Sequence, residues 1–421
     1  MAARVEVSPG RDTGRTSLGR DFEWLWAAYA VGTLGTWVAF HALPLLAITV
    51  LHKGTAEVAA LAAVGAAVGA VVAAPLGPWV EFRRKRSVMV AMDLVRCAAL
   101  LSVVAAYALG RLGFTQLLVV SVLVAAADIT FGAASGAHLK ALLRPEDLLV
   151  AQARLESTTW TATVLGPPLG GGLAALLGPV ATVAADAVSY LLSAAGIRAI
   201  RSPEARPGGA DRPRVRARDL VEGWRHLLTH PVLRPLFLNA VLANGLIMAT
   251  APLLAVLMLG PLGFAPWQYG LVFAVPCVGG LIGSRLARRL VVRFGRRRVL
   301  LTSGLLRVCW PVGLVLIHPG LSGLLLVMGV ELALITCSGI FNPVLATHRL
   351  ELTDAGRVVR TLTAWSVTAK AAVAALTALF GLLATVTGPR AALAAAGVLL
   401  LATPVLLPWK KVGEAEDGLT H

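Results

Sequence analysis

Residues 56–86 read AEVAALAAVGAAVGAVVAAPLGPWVEFRRKR, an apolar run that ends in a cluster of basic residues. The run over 56–80 is long enough to cross a bilayer, since a transmembrane helix needs about 20 apolar residues. Similar runs recur along the chain, which is 57% hydrophobic and 14% charged, against about 25% charged in soluble domains. We therefore predict an all-α integral membrane protein rather than a soluble helical enzyme. Its twelve transmembrane helices are predicted near 22–50, 56–80, 87–109, 116–139, 157–177, 179–200, 235–259, 266–287, 299–318, 321–345, 359–386 and 389–409.

The basic residues test this map independently, because short cytoplasmic loops of membrane proteins carry an excess of lysine and arginine. If the N-terminus is inside, nearly all of the 38 basic residues fall on cytoplasmic segments. The exceptions are Lys53, Arg111 and Arg390 in outer loops and Arg96, Arg307 and Lys370 within spans. The pattern predicts a multi-pass protein of the plasma or inner membrane with both termini cytoplasmic.

The net charge of +16 raises the question of a nucleic-acid partner. The arginines lie in short loops without interleaved aromatics, so we interpret them as topology signals near anionic lipid headgroups and predict no nucleic-acid binding. The four cysteines have neither metal nor redox spacing, and the chain contains no phosphate-binding G-x-x-x-x-G-K-[ST] loop. We predict no enzyme activity and no metal or nucleotide cofactor.

The longest hydrophilic stretch, 201–234, divides the predicted spans into six and six. It predicts a cytoplasmic linker between an N-terminal bundle over 21–200 and a C-terminal bundle over 235–410, with tails at 1–20 and 411–421. Within the linker, 219–228 is expected to form a short amphipathic surface helix.

A weak internal repeat relates the two halves. One constant offset places Asp128 on Glu331 and Ser135 on Ser338. Two six-helix halves with weak repeats are typical of many secondary transporters.

Three motifs carry a resemblance to a known family. GPWVEFRRKR over 77–86 is similar to the G-x-x-x-D-R-x-G-R-R loop that follows the second helix of major facilitator superfamily (MFS) transporters, with Glu81 replacing the acid. DLVR over 93–96 resembles the D-x-x-R of the third helix, and GPPLGG over 166–171 resembles the G-P-x-x-G-G of the fifth helix in exporters. The chain resembles the drug- and siderophore-exporter branch of this family.

The resemblance implies two pseudo-symmetric six-helix bundles, a monomer, and alternating access to a site at the bundle interface. The residues it implies for the gate are Gly77, Glu81, Arg83, Lys85, Arg86, Asp93 and Arg96. In such transporters the acid at the Glu81 position faces the N-terminus of the eleventh helix, near 357–361, where a carboxylate is stabilised by the helix dipole. The alternative is that the basic residues of this loop only set topology.

The exporter motif contributes Gly166, Pro167, Gly170 and Gly171. Proline kinks a helix and glycines permit close helix approach. We expect a kinked, tightly packed fifth helix between the halves, which in exporters limits leak.

Charges inside the membrane are costly and usually face a cavity or a partner. Asp128 and Glu331 lie near the middle of the fourth and tenth spans. Together with Lys370 they are our candidates for proton coupling, the alternative being structural hydrogen-bonded carboxyls. Lys370 is expected to neutralise Glu331 or to meet an anionic substrate.

Further polar residues predict the lining of a substrate cavity. Tyr29, Thr33, Trp37 and His41 form an i, i+4 row on the first span, with helix packing as the alternative. Asn239 and Ser366 complete the candidates.

These observations predict a proton-coupled secondary transporter that exports a small organic molecule such as a drug, siderophore or secondary metabolite. The alternatives are an importer or lipid transporter on the same fold, or a membrane receptor or scaffold without transport. The expected partners are the substrate and the lipid bilayer.

Overall fold

The computed structural model describes residues 18–408 except 41, 54, 203–216, 266, 267, 270, 273 and 274. The described chain contains helices and turns and no strand. The helices are α1 (Arg20–Val38), α2 (Ala42–Thr49), α3 (Thr55–Glu81), α4 (Lys85–Ala108), α5 (Phe114–Leu142), α6 (Pro145–Leu177), α7 (Pro179–Arg198), α8 (Ala217–Thr229), α9 (Leu233–Leu259), α10 (Cys277–Phe294), α11 (Arg296–Cys309), α12 (Leu321–Glu351), α13 (Val358–Thr387) and α14 (Pro389–Ala402). Tighter 3-10 turns over Trp310–Leu316 and Thr403–Leu406 continue α11 and α14.

The predicted all-α membrane fold is confirmed. Counting α1 with α2 as one segment, nine helices of the described residues are long and apolar enough to cross a membrane. Large apolar side chains point outward on them, with Val386 82% and Val405 81% exposed. Such a surface suits lipid, because a soluble monomer rarely exposes large contiguous apolar patches.

Several helices differ from the spans predicted for them, and α6 and α10 are two examples. Helix α6 begins at Pro145, well before the predicted start at 157, because proline at its first position and two acids in its first turn favour a helix N-terminus there. Helix α10 runs from Cys277 to Phe294 and so extends beyond the predicted eighth span. The beginning of that span falls partly outside the described residues.

Glycine-proline turns mark corresponding points of the two halves. Gly178 has φ of +84° between α6 and α7, and Gly388 has φ of +85° between α13 and α14. Glycine adopts this left-handed backbone without the penalty that other residues meet. Each is followed by proline at the first helical position, where the missing N–H costs nothing. The same turn therefore joins the last two spans of each half.

The helices associate in two groups. In the N-terminal group α1 packs on α6 and α7, α4 packs on α5 and α7, and α3 packs on α5. In the C-terminal group α9 packs on α13 and α14, and α12 packs on α10 and α11. Helices α3 and α5 meet α13, and α6 meets α10 and α12, so the two groups face each other through a few helices.

The linker supplies α8, where the sequence predicted a short amphipathic helix. It lies against α13, with Trp224 Nε1 donating to Thr368 Oγ1 at 2.8 Å. A Cβ on Gly223 would lie 2.3 Å from the backbone oxygen of Arg360, so only glycine permits this approach. The linker helix α8 thus packs against the N-terminal half of α13.

Candidate functional site

A cavity of about 480 Å³ lies between the two bundles. Its walls come from α1, α4, α5, α6 and α7 of the N-terminal half and from α12 and α13 of the C-terminal half. Its size is that of a pocket for a small molecule. Four of its charged side chains, Asp93, Arg96, Asp128 and Lys370, form what we call the charged network.

The charged network joins the two halves of the protein. The Nζ atom of Lys370 on α13 donates to Asp128 Oδ2 on α5 at 3.0 Å. An Arg96 nitrogen on α4 lies 3.7 Å from the other oxygen of Asp128. Asp128 is 55% and Lys370 37% exposed, whereas Arg96 is only 5% exposed. The pair between the halves therefore faces the open cavity.

Arg96 is held in place from several sides. It donates to Asp93, which is fully buried. Its guanidinium group stacks on Tyr190 at 4.2 Å and on Phe131 at 4.6 Å from the ring centroids, positions that favour a cation. Arg96 is therefore a fixed positive charge beside Asp128. Asp93 and Arg96, which the family resemblance assigns to the gate, both line the cavity, and their role in gating stays a prediction.

Most residues predicted to line the cavity do so. Tyr29, Thr33, Trp37 and Ser366 are in its wall, and the Tyr29 hydroxyl lies 2.9 Å from that of Thr159. His41 lies outside the described residues.

Asn239 lies elsewhere. It is fully buried in the C-terminal bundle, where it donates to the Thr403 carbonyl at 2.8 Å and accepts from Arg307 at 2.9 Å. The prediction that Asn239 lines the cavity is therefore not supported by its position. The amide oxygen of Asn239 instead accepts a hydrogen bond from the buried Arg307.

The repeat-related acids occupy different environments. Asp128 faces the cavity, whereas Glu331 is buried in the C-terminal bundle and does not line it. Lys370 pairs with Asp128 rather than with Glu331. A sequence offset places the two acids at equivalent heights, but it does not fix how far each helix is rotated about its axis.

Sequence reasoning missed Glu156, which lines the cavity from α6. Its Oε1 accepts from Trp160 Nε1 at 3.0 Å and from Asn342 Nδ2 at 2.9 Å, the latter across the interface. The span predicted from hydropathy begins at 157 and therefore excludes Glu156. The i, i+4 spacing of Glu156 and Trp160 was the available signal.

The end of the molecule that carries the basic segments 83–86 and 296–298, which we call the arginine-rich end, is closed by contacts between the halves. Glu81, at the end of α3, accepts from the backbone N–H of Arg360 at 3.2 Å, in the first turn of α13. A Cβ on Gly77 would lie 3.1 Å from Thr363, so α3 and α13 approach closely just beside it. Glu81 is thus at the helix N-terminus where the family resemblance placed it, and its role in gating stays a prediction.

A second contact of the same kind was not predicted. The ammonium group of Lys140, near the end of α5, donates to the backbone carbonyls of Leu350 and Thr353 at the end of α12. An acid thus caps a helix N-terminus and a base caps a helix C-terminus. Both arrangements are favoured by the helix dipole.

The basic residues around Glu81 have local partners. Lys85 donates to the carbonyls of Val80 and Arg83 at 3.0 Å each, which caps the end of α3. Arg86 donates to the carbonyl of Ile200. Arg83 lies over the Trp79 ring at 5.2 Å. These contacts shape the loop, whereas Glu81 reaches the opposite half.

Removing the charge of Glu81 is expected to open the arginine-rich end. Glu81→Gln keeps a hydrogen-bond acceptor but loses the attraction to the helix N-terminus, worth about 1 kcal/mol. The closed population should fall by roughly fivefold relative to the open one. Spin labels at positions 84 and 298, in a cysteine-free background, report the separation of the halves. Glu146→Gln, at an exposed acid of the same end, should leave the distance unchanged; equal shifts would contradict the assignment.

The glycine motif of α6 packs against α1. A Cβ on Gly166 would lie 2.4 Å from that of Trp37, and one on Gly170 would lie 2.0 Å from the Val38 carbonyl oxygen. Gly171 has nothing within 4 Å of such a Cβ. The expected close approach is present, but the two crowded glycines face a helix of their own bundle rather than the opposite half.

Known proteins share this architecture. The profile of the Major Facilitator Superfamily matches residues 25–347. A bacterial homologue of the iron transporter ferroportin, crystallised in an outward-facing state, is similar with a TM-score of 0.77 and 17% identity over 92% of this chain and 98% of that chain. The human organic anion transporter MFSD10 gives a TM-score of 0.73 and 17% identity over 91% and 99% of the two chains.

The E. coli fucose:proton symporter gives a TM-score of 0.71 with 12% identity over 92% of this chain and 98% of that chain. No curated protein sequence matches the chain. At these identities the structural likeness establishes the fold, and the profile match covers well over half of the chain. The chain therefore belongs to the Major Facilitator Superfamily and is a multi-pass membrane transporter rather than an enzyme.

Proposed function

We propose that the protein is a secondary active transporter that exports a small organic molecule in exchange for protons. The observation that carries this proposal is the Asp128–Lys370 pair, which joins the two halves inside an open cavity. The cell membrane is the proposed location, with both termini cytoplasmic, and the proton gradient rather than a nucleotide is the proposed energy source. The proposed acting unit is the monomer.

The coupling follows from the position of this pair. Protonation of Asp128 removes its attraction to Lys370, and an anionic group of a substrate on Lys370 does the same. Either event weakens a contact between the halves, and a ligand shifts a conformational equilibrium only through such differential contacts. We therefore assign coupling to Asp128 rather than to Glu331, which has no ion pair within the described residues and lies away from the cavity.

The contacts at the arginine-rich end support a state closed toward the cytoplasm. Glu81 and Lys140 of one half each hold a helix end of the other half at that side. With this end closed, we expect the cavity to open toward the opposite end. The proposed direction of transport rests on the likeness of GPPLGG over 166–171 to the exporter motif.

Transport by inverted membrane vesicles tests the function. Vesicles acidified inside are given a panel of cationic, zwitterionic and anionic organic compounds in the outer medium, and uptake into the lumen is measured with and without the pH gradient. We expect pH-driven uptake of at least one compound class together with proton release from the lumen. Uptake that does not respond to the gradient would contradict proton exchange.

Glu156 is expected to select the charge of the substrate. Glu156→Gln keeps an oxygen acceptor for Trp160 and Asn342 but removes the negative charge from the cavity wall. Uptake of cationic compounds should fall relative to neutral ones of similar size, while proton coupling is retained. The ratio of the two uptake rates in one vesicle preparation measures this. An unchanged ratio would exclude Glu156 as a charge selector.

A further inference from the structure

A second crevice lies outside the transport cavity, on the opposite face of α6. It has a volume of about 710 Å³ and is formed by α1, α6 and α10. Its back wall is the contact of Ser157 and Ser284, whose hydroxyl oxygens are 2.6 Å apart and join the two halves. The crevice therefore has one wall on each bundle.

Charge and apolar surface are separated along this crevice. Arg154, Arg285 and Arg288 lie toward the arginine-rich end, and Ala30, Leu34 and Leu165 lie deeper in the membrane-spanning part. The order follows from the chain direction, since α1 and α6 run away from that end and α10 runs toward it. A polar end at the interface and an apolar end at depth match the two parts of a phospholipid.

Only one of the three arginines that line the crevice forms an ion pair within the described residues. Arg154 pairs with Glu23 at 2.7 Å. Arg285 and Arg288 are exposed and form no ion pair with any other residue that the structure describes. The crevice thus holds an excess of positive charge, and Arg285 and Arg288 line it together with apolar side chains. Guanidinium groups bind phosphate oxygens through paired N–H donors.

We propose that this crevice binds one anionic phospholipid, with its phosphate on Arg285 and Arg288 and an acyl chain along Leu34 and Leu165. The bound lipid contacts both halves while the arginine-rich end is closed. Because the walls separate when that end opens, the lipid binds the closed state more tightly and stabilises it. The proposal concerns a resident lipid and does not depend on which substrate is transported.

Lipid binding to the full-length protein tests the proposal. The delipidated protein is titrated with phosphatidylglycerol or phosphatidylcholine, and bound lipid is counted by native mass spectrometry. Arg285→Gln combined with Arg288→Gln is expected to weaken binding of one phosphatidylglycerol roughly thirtyfold, because each basic residue contributes about a factor of five toward anionic lipid. Binding of phosphatidylcholine, whose phosphate charge is balanced by its own choline group, should weaken much less than binding of phosphatidylglycerol.

The matched control combines Arg293→Gln with Arg298→Gln, two exposed arginines of the same end that do not line the crevice. It removes the same charge and should change phosphatidylglycerol binding less than twofold. If both double variants lose affinity for phosphatidylglycerol equally, the effect is only the general electrostatic attraction between basic residues and anionic lipid. That result would overturn the proposal. Displacement of the lipid by millimolar inorganic phosphate alone would also overturn it, since the acyl chain would then contribute nothing.

Discussion

Transport driven by a pH gradient is expected to be abolished in Asp128→Asn. The amide does not gain or lose a proton in the accessible pH range, so protonation no longer switches the pair with Lys370. Substrate binding should persist, because the cavity wall and the fixed charge of Arg96 are unchanged. Uptake into inverted vesicles is measured with and without the gradient, together with substrate-dependent proton release. Downhill uptake that persists without proton release indicates loss of coupling rather than loss of binding.

Glu331→Gln is the matched control for this result. It neutralises the acid that the repeat relates to Asp128, but at a position buried in the C-terminal bundle and away from the cavity. We expect coupled transport to survive in Glu331→Gln. Proton release that persists in Asp128→Asn and disappears in Glu331→Gln would reverse our assignment. Persistence in both variants would exclude the two acids together.

Gly170→Ala is expected to cause a large loss of stability. The added methyl group would lie 2.0 Å from the backbone oxygen of Val38, far inside any normal contact distance. Backbone atoms cannot turn away as a flexible side chain does, so α1 and α6 must separate. Overpacking of a filled interface typically costs about 1–3 kcal/mol. Thermal unfolding followed by size-exclusion chromatography with fluorescence detection should show a markedly lower midpoint than the wild type.

The neighbouring glycine provides a control within the same motif. A Cβ on Gly171 would have nothing within 4 Å. Gly171→Ala is therefore expected to be tolerated, and alanine is the better helix former by about 1 kcal/mol. Equal destabilisation by the two substitutions would mean that the motif acts through helix flexibility rather than through contact with α1.

The sequence predicted the helices well where hydropathy is a sufficient signal. It failed at the start of α6, where Arg154 and Glu156 lie on a helix that a hydropathy scale excludes. A polar face turned toward a cavity or toward another helix lowers the mean hydropathy of a segment without ending the helix. For this reason hydropathy does not identify Glu156 as a residue of α6, although it lies next to Trp160 on the helix surface.

The assignment of charges to the site was only partly possible from sequence. The identification of Asp128 and Lys370 as unusual rested on the cost of a charge in the membrane. Their pairing, and the separation of Glu331 and Asn239 from the cavity, depends on how neighbouring helices are rotated. Helical periodicity tells which residues share a face, but not which element that face meets.

By itself, the sequence determined that this chain is an all-α membrane protein with two related halves, because apolar run length and the positions of arginines act locally along the chain. It also placed Glu81 and the motif glycines at points of close contact. Only the tertiary structure decided that Gly166 and Gly170 face α1, that Lys140 forms a second contact between the halves, and that Lys370 meets Asp128. These are contacts between residues far apart in the chain, and their geometry is set by the packing of whole helices.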